Sequence, residues 1–292
     1  MLRQLTIGLL ITLSLASCSA KSIGSTTQPQ RELIANSLTP NERAEFFWSK
    51  PAGDGPFPMI IFLHGHQETG ANRIGGRAFV DWRVLDGYAK AGLIAVSVSQ
   101  PGYGGSEGKP DFCGQKTQAA VRAVIDHFRA TKFVDPSKIA IEGISRGAVV
   151  AAMVAAHDAN VRTAILIGGV YDLKGYYNDH CAPARKTSMP DSICQSISEE
   201  MPINDEEFAN RSALDYAANI KAQILILHGA EDQNAPAGQA QTFADALRKA
   251  GANIELHIFP GVNHQIPLRA RQPIVNAFLK RTLGLAQELP GQ

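Results

Sequence analysis

Gly143-Ile-Ser145-Arg-Gly147 is the stretch whose residue types could do chemistry. It follows the short apolar, β-branched run Ile139-Ala-Ile141 and leads into Ala148–Ala156, which is rich in alanine and free of Gly and Pro. Those flanks predict a strand, a turn one residue wide, and a helix. A serine at such a turn projects its hydroxyl above the sheet, beside the unpaired amides of the helix start. The two glycines leave room for neighbouring backbone. The chemistry this suits is nucleophilic attack by Ser145. The competing reading is a serine that only caps the helix, and partner residues must decide between them.

A serine hydroxyl is a weak nucleophile until a base takes its proton, and that base needs a carboxylate to orient it. In a doubly wound sheet carrying such a serine, the acid and then the histidine follow it in the chain. Asp232 follows the apolar run Ile224–Leu227, and His264 follows Ile254–Phe259. Both therefore leave strand ends in the required order. Glu231 competes with Asp232, and His257 with His264, although His257 lies inside its predicted strand. The developing oxyanion needs two donors. The backbone N–H of Arg146 is one, and the turn His64-Gly65-His66 after Met59–Leu63 supplies the other, assigned to His66 with Gln67 next to it. The Arg146 side chain opposes the helix dipole, and Glu142, Glu68 or a substrate carboxylate are its candidate partners. His64 and His66 lack supporting ligands for a metal, and Gly108-Lys109-Pro110 does not fit a phosphate loop.

The elements that must hold these groups alternate. Apolar runs at 59–63, 93–98, 139–144, 163–167, 224–227 and 254–259 read as strands covered on both faces. Phe79–Ala91, Thr117–Thr131, Ala148–Ala156, Ala237–Ala250 and Ile274–Leu283 read as helices. The expected fold is α/β, a mostly parallel doubly wound sheet with helices on both faces, and functional loops at the strands' carboxyl ends. Glu42–Lys50 fits an outer strand. Tyr171–Asn219 is too long for a structureless loop and is expected to be a small inserted cap.

The 292 residues carry a formal net charge of +1 and 45% hydrophobic residues. One large core fits that length, and the charge gives no reason to expect nucleic acid. Arg3 precedes the apolar run Leu5–Ala16, which is short for a membrane span and suits a signal peptide. Leu15-Ala-Ser-Cys18 resembles a bacterial lipobox. That resemblance implies cleavage after residue 17, lipidation of Cys18 and, with Ser19 following, an outer-membrane anchor facing the periplasm. The expected organisation is a signal peptide over 1–17, a lipidated N-terminus and flexible tether over 18–40, a domain over 41–285 with its cap at 171–219, and a tail over 286–292. In an oxidising compartment, Cys113, Cys181 and Cys194 would give one disulfide and one free thiol, with three possible pairings.

From Pro58 to about Leu283 the chain resembles the α/β-hydrolase superfamily. It is most similar to the branch holding dienelactone hydrolases and the catalytic domains of prolyl oligopeptidase-type (S9) serine peptidases. The matching residues are His64-Gly65, Gly102-Tyr-Gly-Gly-Ser106, Gly143–Gly147, His228-Gly-Ala-Glu-Asp232 and Pro260-Gly-Val-Asn-His264. The resemblance implies Ser145 as nucleophile, Asp232 as acid and His264 as base, with no cofactor. Two departures stand out: Ala148 replaces a further glycine common in those peptidases, and a tether stands where they carry a β-propeller. The second turns the expectation toward carboxylic esters, with short peptides as the alternative. A non-catalytic envelope binding protein is the reading from another class.

Overall fold

The structure, a computed structural model, describes residues 28–67, 73–182 and 191–291. The apolar run at 5–16, Cys18, Ser19 and Glu68 lie outside them. Among the described residues no helix is long and apolar enough to cross a membrane.

The chain opens with β1 (Gln30–Ala35) and β2 (Arg43–Ser49), paired antiparallel. Then come β3 (Phe57–Leu63), α1 (Arg77–Asp81), α2 (Val84–Lys90), β4 (Ile94–Val98), α3 (Gln115–Arg129), β5 (Val134–Ile144), α4 (Arg146–His157) and β6 (Val161–Ile167). The cap holds α5 (Leu173–Tyr176), a π-helical turn at Tyr177–Cys181, α6 (Asp191–Glu200), α7 (Asp205–Ala209) and a 3₁₀ turn at Ala213–Asn219. The chain closes with β7 (Gln223–Gly229), α8 (Ala237–Lys249), β8 (Ile254–Phe259) and α9 (Leu268–Leu283). The strands lie in the order β1-β2-β4-β3-β5-β6-β7-β8, and every neighbouring pair from β4 to β8 is parallel.

Alternation along buried strands divides the core. Met59, Ile61 and Leu63 join one cluster with α3, α4 and α8, whereas Ile60 and Phe62 join another with α1, α2 and α9. Successive strand residues face opposite sides, so a continuous apolar run feeds both layers, and the expected α/β architecture is the one observed. A third, smaller cluster of Leu173, Tyr176, Ile197, Met201 and Phe208 holds the cap together. The disulfide in that cap joins Cys181 to Cys194, and Cys113 is a buried free thiol.

Three elements differ from expectation. Gln30–Ala35, placed by sequence in the polar tether, pair residue for residue with β2 and form the sheet edge, so β2 is the second strand rather than the outer one. The helix expected over 79–91 is two helices, because Arg83 between them adopts φ 57°. The last helix starts at Leu268, not Ile274: Pro273 lies inside it. Proline there forfeits one backbone hydrogen bond, and burial of Val275, Phe278 and Leu279 holds the helix through it.

Candidate active site

The turn after β5 follows from its glycines. A Cβ at Gly143 would collide with the Gly147 carbonyl, and one at Gly147 with the Leu63 carbonyl of β3. Helix α4 can therefore start directly against the sheet. Ser145 sits at φ 54°, ψ −117°, its N–H donating to Ile167 O at 2.7 Å. That conformation is costly for a residue with a Cβ, on the order of 1–3 kcal/mol, and it lifts Oγ out of the helix.

Two further strand ends meet it. Ser145 Oγ lies 2.9 Å from His264 Nε2, and His264 Nδ1 lies 2.7 Å from Asp232 Oδ2. With Nδ1–H donating to the carboxylate, Nε2 is left to accept the serine proton. Asp232 Oδ1 accepts from the N–H groups of Asn234 and Ala235, both at 2.9 Å. His228, fully buried at the end of β7, comes within 3.3 Å of the other oxygen. Burial pushes the Asp232 carboxyl up, but the hydrogen bonds from His228, His264 and Ala235 outweigh it and hold the group well below the usual carboxylate range. It therefore stays ionised beside the imidazole. Of the competitors, Glu231 is exposed, and His257 is half-buried on β8, where it faces Glu255 at 3.9 Å.

The turn after β3 is fixed by His64. Burial lowers its pKa to about 4, so the ring is neutral. It accepts from Gln100 N–H at 3.1 Å and, with Nδ1 protonated, donates to Gly65 O at 2.8 Å. His66 and Arg146 line the same pocket as Ser145 and His264. The pocket is small, about 40 Å³, with Phe112, Val149, Val170 and Ile193 among its apolar walls.

The Arg146 side chain is ion-paired, but with a partner the sequence did not name. It is 3% exposed and does not pair with Glu142. It meets Glu200 of α6 at 2.6 Å, donates from Nε to Gln100 Oε1 at 3.1 Å and from Nη1 to the Tyr103 hydroxyl at 3.3 Å. Glu142 faces the opposite layer, against Arg271. Sequence reasoning missed Glu200, Gln100 and His228 as parts of the site. His228 alone had a local signal, since it directly follows the apolar strand that delivers Asp232.

The prolyl oligopeptidase family profile matches residues 111–285, the segment holding all three hydrogen-bonded side chains. Two Bacillus subtilis proteins described as uncharacterized peptidases are each 24% identical: YuxL over 226 residues, 73% of this chain, and YtmA over 239 residues, 80% of it. The chain spans 32% of the length of YuxL and 86% of YtmA. Among solved structures, the Pyrococcus horikoshii acylaminoacyl peptidase superposes with a TM-score of 0.71 at 20% identity, covering 93% of this chain and 44% of that one. Acetyl xylan esterase 1 from Thermoanaerobacterium superposes with a TM-score of 0.66 at 17% identity, covering 89% of each chain. At these identities the structural likeness speaks for the fold, while the family match covers more than half of the sequence. A hydroxyl, an imidazole and a carboxylate joined in series, within the segment the profile recognises, place this chain in the prolyl oligopeptidase family of serine hydrolases.

Proposed function

We propose that the protein hydrolyses carboxylic esters with small acyl groups through an acyl-enzyme on Ser145. In this reading His264 takes the serine proton as the hydroxyl attacks and returns it to the leaving alcohol. Asp232 keeps the imidazole in the tautomer that can do so. The N–H groups of Arg146 and His66 receive the developing oxyanion, and losing either would cost about 3 kcal/mol of barrier. Water then repeats the sequence on the acyl-enzyme. No step calls for a cofactor.

The observation that carries the ester reading is the size of the pocket beside Ser145. About 40 Å³ holds roughly three water-sized probes, which suits an acetyl or propionyl group. The family and the relatives described as peptidases support the second reading, the same machinery on a short peptide. A fluorophosphonate probe is expected to label the wild type and not Ser145→Ala. Turnover of p-nitrophenyl acetate, compared with p-nitrophenyl octanoate and aminoacyl p-nitroanilides, separates the two readings. Faster cleavage of the anilides would reject the ester.

We also propose that Cys18 is lipidated and holds the enzyme in a bacterial cell envelope. The lipobox-like sequence supports this, and the Cys181–Cys194 disulfide suits an oxidising compartment. Radiolabelled palmitate incorporated into wild type but not Cys18→Ser is the expected result.

A further inference from the structure

On the face of the sheet away from α4, a cleft of about 350 Å³ opens between the α1–α2 corner and the start of α9. That is within the range of small-molecule sites, and the cleft shares no residue with the pocket beside Ser145. Phe79, Trp82 and Tyr88 line one side and Leu268 the other. The rings are in contact: Phe79 packs edge-on against Trp82 at 5.7 Å between centroids, and stacks on Phe62 at 5.3 Å. Trp82 is 63% exposed. The left-handed backbone of Arg83, directly after it, is a conformation arginine seldom adopts, and it fixes the corner from which the indole projects.

The cleft also contains a polar pair. Glu142 is 6% exposed, yet its Oε2 has no hydrogen-bond partner. Arg271 Nη1 forms only a long ion pair with Glu142 Oε1, at 3.5 Å, outside good hydrogen-bond geometry. A buried acceptor left open beside a donor held so loosely is expensive in a closed interior. Between aromatic walls they become a recognition element, because one planar group can satisfy both. An amide does so: its N–H donates to the carboxylate and its carbonyl accepts from the guanidinium. The attached ring takes the place of solvent against Trp82 and Phe79, where offset or edge-on aromatic contacts add to burial.

We propose that this cleft is a second binding site, for a small aromatic molecule carrying a carboxamide group. Glu142 and Arg271 read the amide, and Trp82 with Phe79 reads the ring. Glu142 lies on β5 three residues before Ser145, and Arg271 lies seven residues after His264, so the site borders both segments that carry the proposed triad.

Benzamide is the probe, with N,N-dimethylbenzamide as its partner lacking the donor. The protein has two tryptophans, and Trp48 is buried in the core, stacked on Phe133. A change in indole emission on titration therefore reports Trp82. Benzamide is expected to shift the emission with an affinity on the order of millimolar, and the dimethyl compound to bind roughly tenfold or more weakly, having lost a hydrogen bond to a charged group. Benzamide should bind equally to enzyme already inactivated by a fluorophosphonate. Glu142→Gln should weaken it; Trp82→Ala, at an exposed position that leaves the fold intact, should weaken it as read by saturation-transfer NMR. No emission change, equal binding of both amides, unchanged binding to Trp82→Ala, or loss of binding after inactivation would each overturn the proposal.

Discussion

Glu200→Ala isolates what ties the cap to the sheet. Glu200 is on α6 and accepts from Phe112 N–H at 3.1 Å as well as pairing with Arg146 at 2.6 Å. The two side chains are 9% and 3% exposed, so solvent cannot replace the lost partner. Removing one member of such a pair costs about 3–5 kcal/mol, because the remaining charge stays buried. Arg146 would keep Gln100 and Tyr103, and its guanidinium lies 5.2 Å from the Tyr103 and Phe112 ring centroids. The lower end of the range therefore applies. A loss of about 3 kcal/mol corresponds to a fall in Tm of roughly 6–12 °C for a domain of this size, measured by thermal unfolding followed by circular dichroism. The double variant Arg146→Met/Glu200→Leu should recover most of that loss, since apolar residues of similar volume often replace a buried pair without penalty. Ile193 and Ser196 of the same helix line the pocket beside Ser145. Loosening α6 should thus raise octanoate turnover relative to acetate, even where both fall. A Glu200→Ala protein with unchanged Tm and unchanged acyl selectivity would refute the reasoning.

Asp232→Asn should leave the fold intact and lower kcat by about four orders of magnitude in the ester assay, because the amide no longer holds His264 in the required tautomer. The depressed pKa of Asp232 stabilises the fold above the unfolded carboxylate value near 3.8, and that contribution is lost as pH falls below it; acid titration of stability should show a shallower decline in the variant. His64 is held neutral, with its pKa near 4 against 6.5 in the free side chain. The unfolded chain therefore takes up a proton first as pH drops, and stability falls from pH 6.5 toward 4 by about 3 kcal/mol, a slope that urea titrations should find flattened in His64→Asn. Burial pushes the Cys113 thiol up to about 12; iodoacetamide should leave it unmodified in the native protein and label it in urea, as read by peptide mass spectrometry.

The sequence was most legible where one requirement acts locally. Leu225 and Ile165 have to face helices on one side while Ile224 and Ala164 face them on the other, so their strands read as unbroken apolar runs. The serine turn was legible because Gly143 and Gly147 leave no space for a side chain. Groups that act by pairing across the fold were not. Nothing near Glu200 in the chain marks it as the partner of Arg146, 54 positions earlier. Likewise, Gln30–Ala35 conceals a strand behind its polar first half, Gln30-Arg31-Glu32, and offers only Leu33 and Ile34 as partly buried apolar residues, because an edge strand tolerates side chains that meet water.

The pairing of Gln30–Ala35 onto the sheet edge has a consequence for where the enzyme could work. Were Cys18 embedded by its acyl chains, the leash would be only the eleven residues from Ser19 to Pro29, with a reach of at most about 40 Å. A catalyst held that near a bilayer samples a shallow layer above the lipid rather than the full compartment. Lengthening that spacer with Gly-Ser repeats would widen the layer, while the sheet edge stays fastened where β1 meets β2.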